Sequence, residues 1–441
     1  MFQTLKRAWN VPEIRNKILY TLLMIVIFRL GSAIAVPFLN TDVVSAWMGN
    51  NAQGSAYDYL NVITGGNLSK ASLFSLSITP YINASIIMQL LAYALPPLER
   101  LKDEGEEGRK KMNKYTAFVA LALAVFMGYA YYLTLSKMVD EETGKQALKY
   151  TSGWEMWFTG IVIVGCFVAG ALFVVWMGNR ISEKGIGNGI SMILFAGIAA
   201  RFPVDAQTIG KYVVEEPAKY LFVALGYIVF IIFEFAFIVT MNEAERRIPI
   251  QYAKRVVGRK QYGGQKTHIP IKIIMSGVMP IIFAMSFLSL PQTIQLFAGQ
   301  PTKAEGFYYH FCKFFSPLSW SYVIMSFILI IAFNYFYVSL QYNPVEIANN
   351  LRQSNGGIPG IRPGKPTSDY IQKILSKITL VGAVFLGIVA IIPNIISIAD
   401  NKLQSLSMGG TTLLIAVSVA LETTRTLESH LMMRHHKGFL S

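Results

Sequence analysis

The chain has 441 residues, of which 53% are hydrophobic and only 15% charged, against about 25% charged in a soluble domain. With a mean hydropathy of +0.43, this excludes a soluble globular protein and points to a polytopic membrane protein. The formal charge of +14 is concentrated in a few polar connections, so it bears on orientation and partners more than on solubility.

Apolar runs of about 20 residues mark spans. The first covers Ile18–Pro37 and holds an ionisable residue, Arg29. A charge at that depth costs roughly 2.5–3.5 kcal/mol on insertion scales, which suits a packing residue bonded to carbonyls. Ala33-Ile34-Ala35 resembles a leader cleavage site, but Arg29 in the apolar core and the mixed composition of the first 17 residues argue against cleavage. The second span, Ala71–Leu95, is the most informative. Gly65 and Gly66 precede it, Pro80 interrupts it, and Ser72, Ser75, Ser77, Thr79, Asn83 and Ser85 put small polar groups through it. Freed backbone groups at membrane depth need protein or water partners, so this segment belongs against other helices or a wet cavity.

Further spans follow at Thr116–Leu135, Trp157–Met177, Ile190–Arg201, Tyr220–Met241, Pro270–Leu290, Tyr322–Leu340, Ile378–Ile398 and Thr411–Leu427, which makes ten. Ile190–Arg201 is too short to cross unless flanking residues extend it. The sixth span carries Glu234 and the tenth Glu422. Alternate connections hold 28 Lys and Arg, the opposite set 10, so both termini are assigned to the cytoplasm. A cut near Pro217 leaves five spans on each side, and an odd number per half requires opposite orientations, the arithmetic of an inverted repeat. The expected units are residues 1–216 and 217–441. Pro80 in the second span and Pro280 in the seventh, with Gly277 one turn before it, are paired interruptions that point to a central site between the halves.

The residues offer no enzyme constellation. Gly364-Lys365 resembles the end of a phosphate loop, but Pro366 stands where Ser or Thr is required and Pro359 where the first Gly should be. Gly185, Gly187 and Gly189 follow no strand and suit a tight bend. His268, His310, His430, His435 and His436 lack acidic or Cys companions at metal spacing, and Cys166 and Cys312 imply no disulfide, so neither cofactor nor metal is expected. Two connections stand out. Residues 242–272 carry eight Lys and Arg, a density that can meet RNA phosphates or an acidic protein surface. Residues 349–367 hold three prolines and four glycines, which preclude a regular helix and, beside Arg362, favour an ordered, presented loop.

Several stretches resemble the SecY family of bacterial protein-translocation channels. They are Ile27–Gly31 (Ile-Phe-Arg-Leu-Gly), Gly65–Leu91, Glu104–Arg109, Glu183–Ser191 (Glu-Lys-Gly-Ile-Gly-Asn-Gly-Ile-Ser), Arg246–Arg255, Thr267–Pro280, Ile358–Thr367 (Ile-Pro-Gly-Ile-Arg-Pro-Gly-Lys-Pro-Thr) and Gly409–Ile415, from the first span to the last. The resemblance implies an all-α polytopic membrane fold of ten helices, in two inverted five-helix halves around an hourglass pore. It also implies a short plug helix over roughly Gly65–Leu76, including Gly65, Gly66, Asn67, Leu68, Ser69, Ser72, Leu73 and Phe74, and a pore ring of Ile78, Ile82, Ile190, Leu194, Ile282 and Ile415. A lateral gate would open between the second and seventh spans. There the chain departs from many bacterial members: Met127 and Ile274 stand where they carry Gln and Asn, which leaves Asn83 fewer polar partners.

As the resemblance implies, the ATPase SecA or the ribosome, with its RNA, would dock on Arg255, Arg259, Lys260 and Arg362. SecE would clamp the halves, SecG would sit peripherally, and signal peptides and precursor polypeptides would be the cargo at the bacterial plasma membrane. The alternative reading is an inverted-repeat secondary transporter of a small solute, with Glu234 as its coupling acid.

Overall fold

The computed structural model describes residues 2–51, 61, 64–139, 144–150, 153–252, 255–257, 260–262, 266–298, 306–316, 319–399 and 410–437. In chain order, α1 (Phe2–Trp9), α2 (Pro12–Ala33) and α3 (Thr41–Asn51) lead to a turn-rich segment at 64–78 and then to α4 (Thr79–Ala94). The succession continues with α5 (Pro96–Asp103), α6 (Glu106–Lys137), α7 (Trp154–Lys184), α8 (Gly189–Ala199), α9 (Phe202–Glu215) and α10 (Pro217–Glu243). A connection of strands follows: β1 (Glu245–Tyr252), β2 (Arg255–Val257), β3 (Lys260–Tyr262) and β4 (Lys266–Lys272). The remainder is α11 (Met279–Ala298), α12 (Phe307–Phe314), α13 (Trp320–Gln341), α14 (Pro344–Gln353), the short β5 (Gly356–Gly357), α15 (Lys365–Ala399) and α16 (Thr411–Lys437).

Among the described residues, seven helical stretches are long and apolar enough to cross a membrane. One of them runs from Gly189 to Lys211 through α8 into α9, so flanking residues do extend the short fifth span. The α4 helix has 16 residues, about 24 Å at 1.5 Å each, short of a hydrocarbon core of about 30 Å.

Pro80 and Pro280 do not kink helices at mid-span. Each opens one, as the second residue of α4 and of α11, where a proline's missing N–H would have no helical partner in any case. The seventh span therefore begins at Met279 rather than Pro270, which lies in β4. The two starts match in detail. A positive φ stands three residues before each proline, 48° at Ser77 and 62° at Gly277. The Ile78 carbonyl then accepts from the amides of Tyr81 and Ile82, and the Val278 carbonyl from those of Ile281 and Ile282.

Packing divides along the chain. Val44, Leu135, Ile163 and Phe167 belong to a core built from the first part, while Ile238, Ile281, Leu386, Val389 and Leu414 form another in the second. The expected helical architecture gains two small sheets, the pair β2-β3 and one in order β4-β1-β5. Strand β1 pairs antiparallel with β4 from Glu245↔Lys272 to Gln251↔Lys266, and meets β5 at Gln251↔Gly357. Ile248, Ile250 and Ile271 pack there with Leu351, Ile358, Ile371 and Leu375, so both long connections share one apolar base. At the membrane end of β4, burial lowers the Lys272 ammonium from its ordinary value, Arg425 adding to the effect and Glu245 opposing it.

Candidate functional site

Five of the six expected ring residues come together. Ile78, Ile82, Ile190, Leu194 and Ile282 share one apolar cluster with Phe28, Leu73, Phe74 and Ile193, and Ile282 is the member from the second half of the chain. The sixth, Ile415, is half-buried on α16 and lies outside it. The α4 start delivers Ile78 and Ile82, whereas α8 delivers Ile190 and Leu194. Asn188 fixes the start of α8, its side-chain oxygen accepting from the Ile190 amide at 3.1 Å.

Residues 64–78 form successive turns rather than the expected plug helix. Positive φ at Gly65, Gly66, Ala71 and Ser77 interrupts any helical run. The hydroxyls of Ser69, Ser72 and Ser75 are consumed internally, whereas buried Asn67 Nδ2 has no partner among the described residues. Ser75 Oγ donates to the Ser72 carbonyl at 2.6 Å, Ser72 Oγ to that of Asn67 at 3.3 Å, and Ser69 Oγ to that of Gly66 at 3.0 Å. Backbone bonds tie it to the end of α2: the Val36 amide donates to Ala71 at 3.1 Å and the Leu73 amide to Ile34 at 2.9 Å. From α6, the Tyr131 hydroxyl donates to the Leu68 carbonyl at 2.6 Å. Buried Phe74 stacks on Phe28 with centroids 5.7 Å apart and planes 3° from parallel. Two glycines make room. A Cβ on Gly31 would collide with the Phe74 ring, and one on Gly170 with the Leu73 carbonyl oxygen.

Arg29 behaves as a packing residue. Its guanidinium donates to the Ala196 carbonyl and, at 3.2 Å, to that of Gly197, satisfying groups at the end of α8. Gly197 in turn lies against Gly65, so Arg29 braces the place where the turn segment meets α8.

The boundary between α4 and the second half is apolar. Ile86, Phe283 and Tyr337 form its buried centre, with Ile82, Leu90, Phe333 and Phe336 around them. The expected gate residues are dispersed: Met127 packs against the first core and Ile274 lies within the second. Buried Asn83 has no hydrogen-bond partner for its Oδ1 among the described residues, in line with the shortage of partners read from the sequence.

Glu234 is 3% exposed, and its Oε1 accepts from the Gly410 amide at 2.6 Å. Gly410 has φ 54°, and a Cβ there would strike the Pro393 ring. The carboxylate thus ties α10 to the start of α16 against α15. Of the basic residues, Arg362 is exposed, in a connection held by Thr367 Oγ1 donating to the Arg362 carbonyl at 2.8 Å. Arg255 and Lys260 belong to the paired β2 and β3, and Arg259 lies outside the described residues.

Sequence reasoning missed Tyr131, Gly31 and Gly170, because a tyrosine or glycine in a span has no local mark of its distant neighbour. It also missed Gln89 and Tyr337, whose side chains bond across 248 residues.

A family model, SecY, matches residues 72–424. The protein translocase subunit SecY of Thermus thermophilus is 41% identical over 442 residues, covering 99% of this chain and 98% of that one. Two solved structures share the fold, each covering 96% of both chains with a TM-score of 0.60. One, 18% identical, is a translocation channel whose SecY plug domain is described as stabilising the closed state and maintaining a membrane seal. The other, 16% identical, is a canine ribosome-channel complex from the endoplasmic reticulum. With that identity along its whole length, the chain belongs to the SecY family.

Proposed function

We propose that the chain is the channel subunit of a protein translocase. It passes unfolded secretory polypeptides across the bacterial plasma membrane and releases signal or transmembrane segments sideways into lipid. The observation that carries this reading is the cluster joining Ile78, Ile82, Ile190, Leu194 and Ile282 to the turn segment through Leu73 and Phe74. Branched aliphatic groups have no fixed hydrogen-bond pattern, so they fit around many sequences, and a narrow dry constriction opposes ion flow. Ile415, outside that cluster, is the sixth member of the ring. Residues 65–76 are the plug.

The two units are residues 1–216 and 217–441, and the matched starts of α4 and α11 support their descent from one inverted repeat. Lateral release uses the apolar boundary beside Asn83, with Met127 and Ile274 supporting it from either core. The channel is not an enzyme and takes its driving force from SecA or the ribosome, which engage Arg255, Arg259, Lys260 and Arg362. The shared apolar base beneath both connections supports such a platform. SecE clamps the halves, SecG lies peripherally, and both termini are cytoplasmic, as the basic-residue bias supports.

The small-solute transporter has less support, because the chain belongs to a family of protein translocases. Glu234 holds the Gly410 amide with one oxygen only, and its Oε2 has no partner among the described residues. Reconstitution with SecE, SecA, ATP and a signal-bearing precursor tests the proposal. Protected precursor inside the vesicles is the expected result, and proton-linked solute flux without precursor uptake would overturn it.

A further inference from the structure

The short helix α12, Phe-Tyr-Tyr-His-Phe-Cys-Lys-Phe, buries none of its residues against the rest of the described chain. Phe307 is 87% exposed and Phe314 43%. Positions 307, 311 and 314 recur at helical spacing, so their rings share one face, whereas Tyr309, His310 and Lys313 fall on the other side. The rings form a ladder. Phe307 and Phe311 stack with centroids 6.4 Å apart, and Phe315, just past the helix, lies 5.0 Å from Phe311 and 5.2 Å from Phe314. A contiguous exposed patch of this kind marks a surface made for a partner. We propose that α12 is an interfacial anchor lying along the bilayer surface on the side opposite the strands. Phe307, Phe311 and Phe314 seat among lipid headgroups and upper acyl chains, and Lys313 stays at the phosphates. The inference goes beyond the channel reading and needs only that α11 and α13 cross a membrane.

Three observations choose lipid as that partner. First, α12 sits at membrane level. The α11 helix starts beyond β4 and has 20 residues, about 30 Å at 1.5 Å each, which matches a hydrocarbon core of about 30 Å. The 22 residues of α13 are apolar enough to cross back, so the connection between them lies at the face opposite the strands. Second, α12 is held in place. Ser321 Oγ of α13 donates to the Phe314 carbonyl at 2.9 Å and lies 2.6 Å from Ser319 Oγ, which fastens the end of α12 to the first turn of α13. Third, other aromatic residues mark the same depth. Trp320 opens α13 and is exposed. Alternate crossings by α7, α8, α10 and α11 put the start of α7 on this face too, and Trp154 and Trp157 are exposed there. Rings gathered at one level suit the boundary where an apolar body meets acyl chains and a polar edge meets headgroups. The polar side of α12 agrees, since it carries Lys313 and no acid.

The test uses the full chain with SecE in vesicles of phosphatidylethanolamine and phosphatidylglycerol. Cys166→Ala and Cys312→Ser remove the native thiols, and a nitroxide is attached in turn at Phe307→Cys, Phe314→Cys, Tyr309→Cys and Lys313→Cys. Oxygen concentrates among acyl chains and a water-soluble nickel chelate stays outside, so the ratio of their collision rates with the label reads its depth. Labels at 307 and 314 are expected about 5–10 Å below the phosphates, and those at 309 and 313 at or above them. Nickel collisions as frequent at 307 and 314 as at 309 and 313 would place the ring face in water. Exclusion of both relaxants from 307 and 314 would mean that protein covers it. Either result overturns the anchor. Two ring positions keep the test decisive if one variant does not assemble with SecE. Depth is read without translocation, so failure of the parent to import a precursor would count against the channel reading and leave the anchor standing.

Discussion

In the plug segment, Ser69, Ser72 and Ser75 each donate to a carbonyl of their own turns, while Tyr131 and the residues after α2 fasten the segment from outside. The seam between α4 and α13 is instead a surface of Ile86, Phe283, Phe333 and Phe336 bridged by Gln89 and Tyr337. The difference teaches how one channel can be both tight and permissive. A segment whose buried hydroxyls have specific partners returns to one place, because any other leaves them unpaired. An apolar surface is indifferent to the sequence that covers it, so many cargo segments can stand in for the opposite face.

The largest expected effect comes from destroying the specific side of this contrast. Gly170→Val would place a side chain against the Leu73 carbonyl, a backbone atom that cannot swing aside. Overpacking of this kind costs about 1–3 kcal/mol and is expected to unseat the plug while leaving the seam intact. Planar-bilayer recordings should show a standing ion current, and a folded variant as tight as the parent would show that the segment needs no such seat.

Next comes the ring. Replacing Ile82 with Ser and Ile282 with Gly removes apolar bulk from the cluster that joins plug to seam. Water can then bridge the constriction, so ion leak at rest should rise while precursor uptake persists, because a looser ring still passes an extended chain. An unchanged resting conductance would remove both residues from the pore. A smaller and more selective change is Tyr131→Phe, which removes one of the two donors to the Leu68 carbonyl and leaves the Ala71 amide at 3.0 Å, at a cost of about 0.5–1.5 kcal/mol. Brief spontaneous openings, rather than a standing current, are the expected recording.

These contrasts were only half legible in the sequence. Composition and run length revealed the helices, and the Ser-rich stretch before Pro80 marked a segment that needs partners, because polar groups at that depth demand them, although it reads as span and plug helix rather than as turns. The prolines were visible but misplaced within their helices. The residues before each, Ser77-Ile78 and Gly277-Val278, are as apolar or small as a span's interior, so sequence alone does not separate a kink from a start. Arg29 was readable as a carbonyl-bonding residue, although nothing local named Ala196 and Gly197 as its acceptors. Gln89 and Tyr337 were silent, since each alone is an ordinary amphipathic residue and their meaning lies in a pairing that only the tertiary fold creates.

Arg362→Glu leaves both plug and seam untouched, because the side chain is exposed and only the residue's carbonyl is engaged, by Thr367. Folding and complex assembly should be nearly normal, with resting conductance unchanged and motor-driven uptake reduced. Normal transport at saturating motor would detach Arg362 from docking.

The smallest expected effect concerns Glu234, a buried acid that holds a backbone amide as the plug's hydroxyls hold carbonyls. Glu234→Gln retains an oxygen of the same reach for the Gly410 N–H, so the tie between α10 and α16 survives and precursor uptake should match the parent's. Glu234→Ala leaves the buried Gly410 amide without the acceptor it has here. A loss of about 1–3 kcal/mol in stability is then expected, read as a lower midpoint of thermal unfolding in detergent. The two substitutions separate a structural tie from proton chemistry, because both remove the charge and only one removes the acceptor. Uptake abolished equally by Gln and Ala in folded channels would mean that the carboxylate itself works, and would return the acid to the centre of the mechanism.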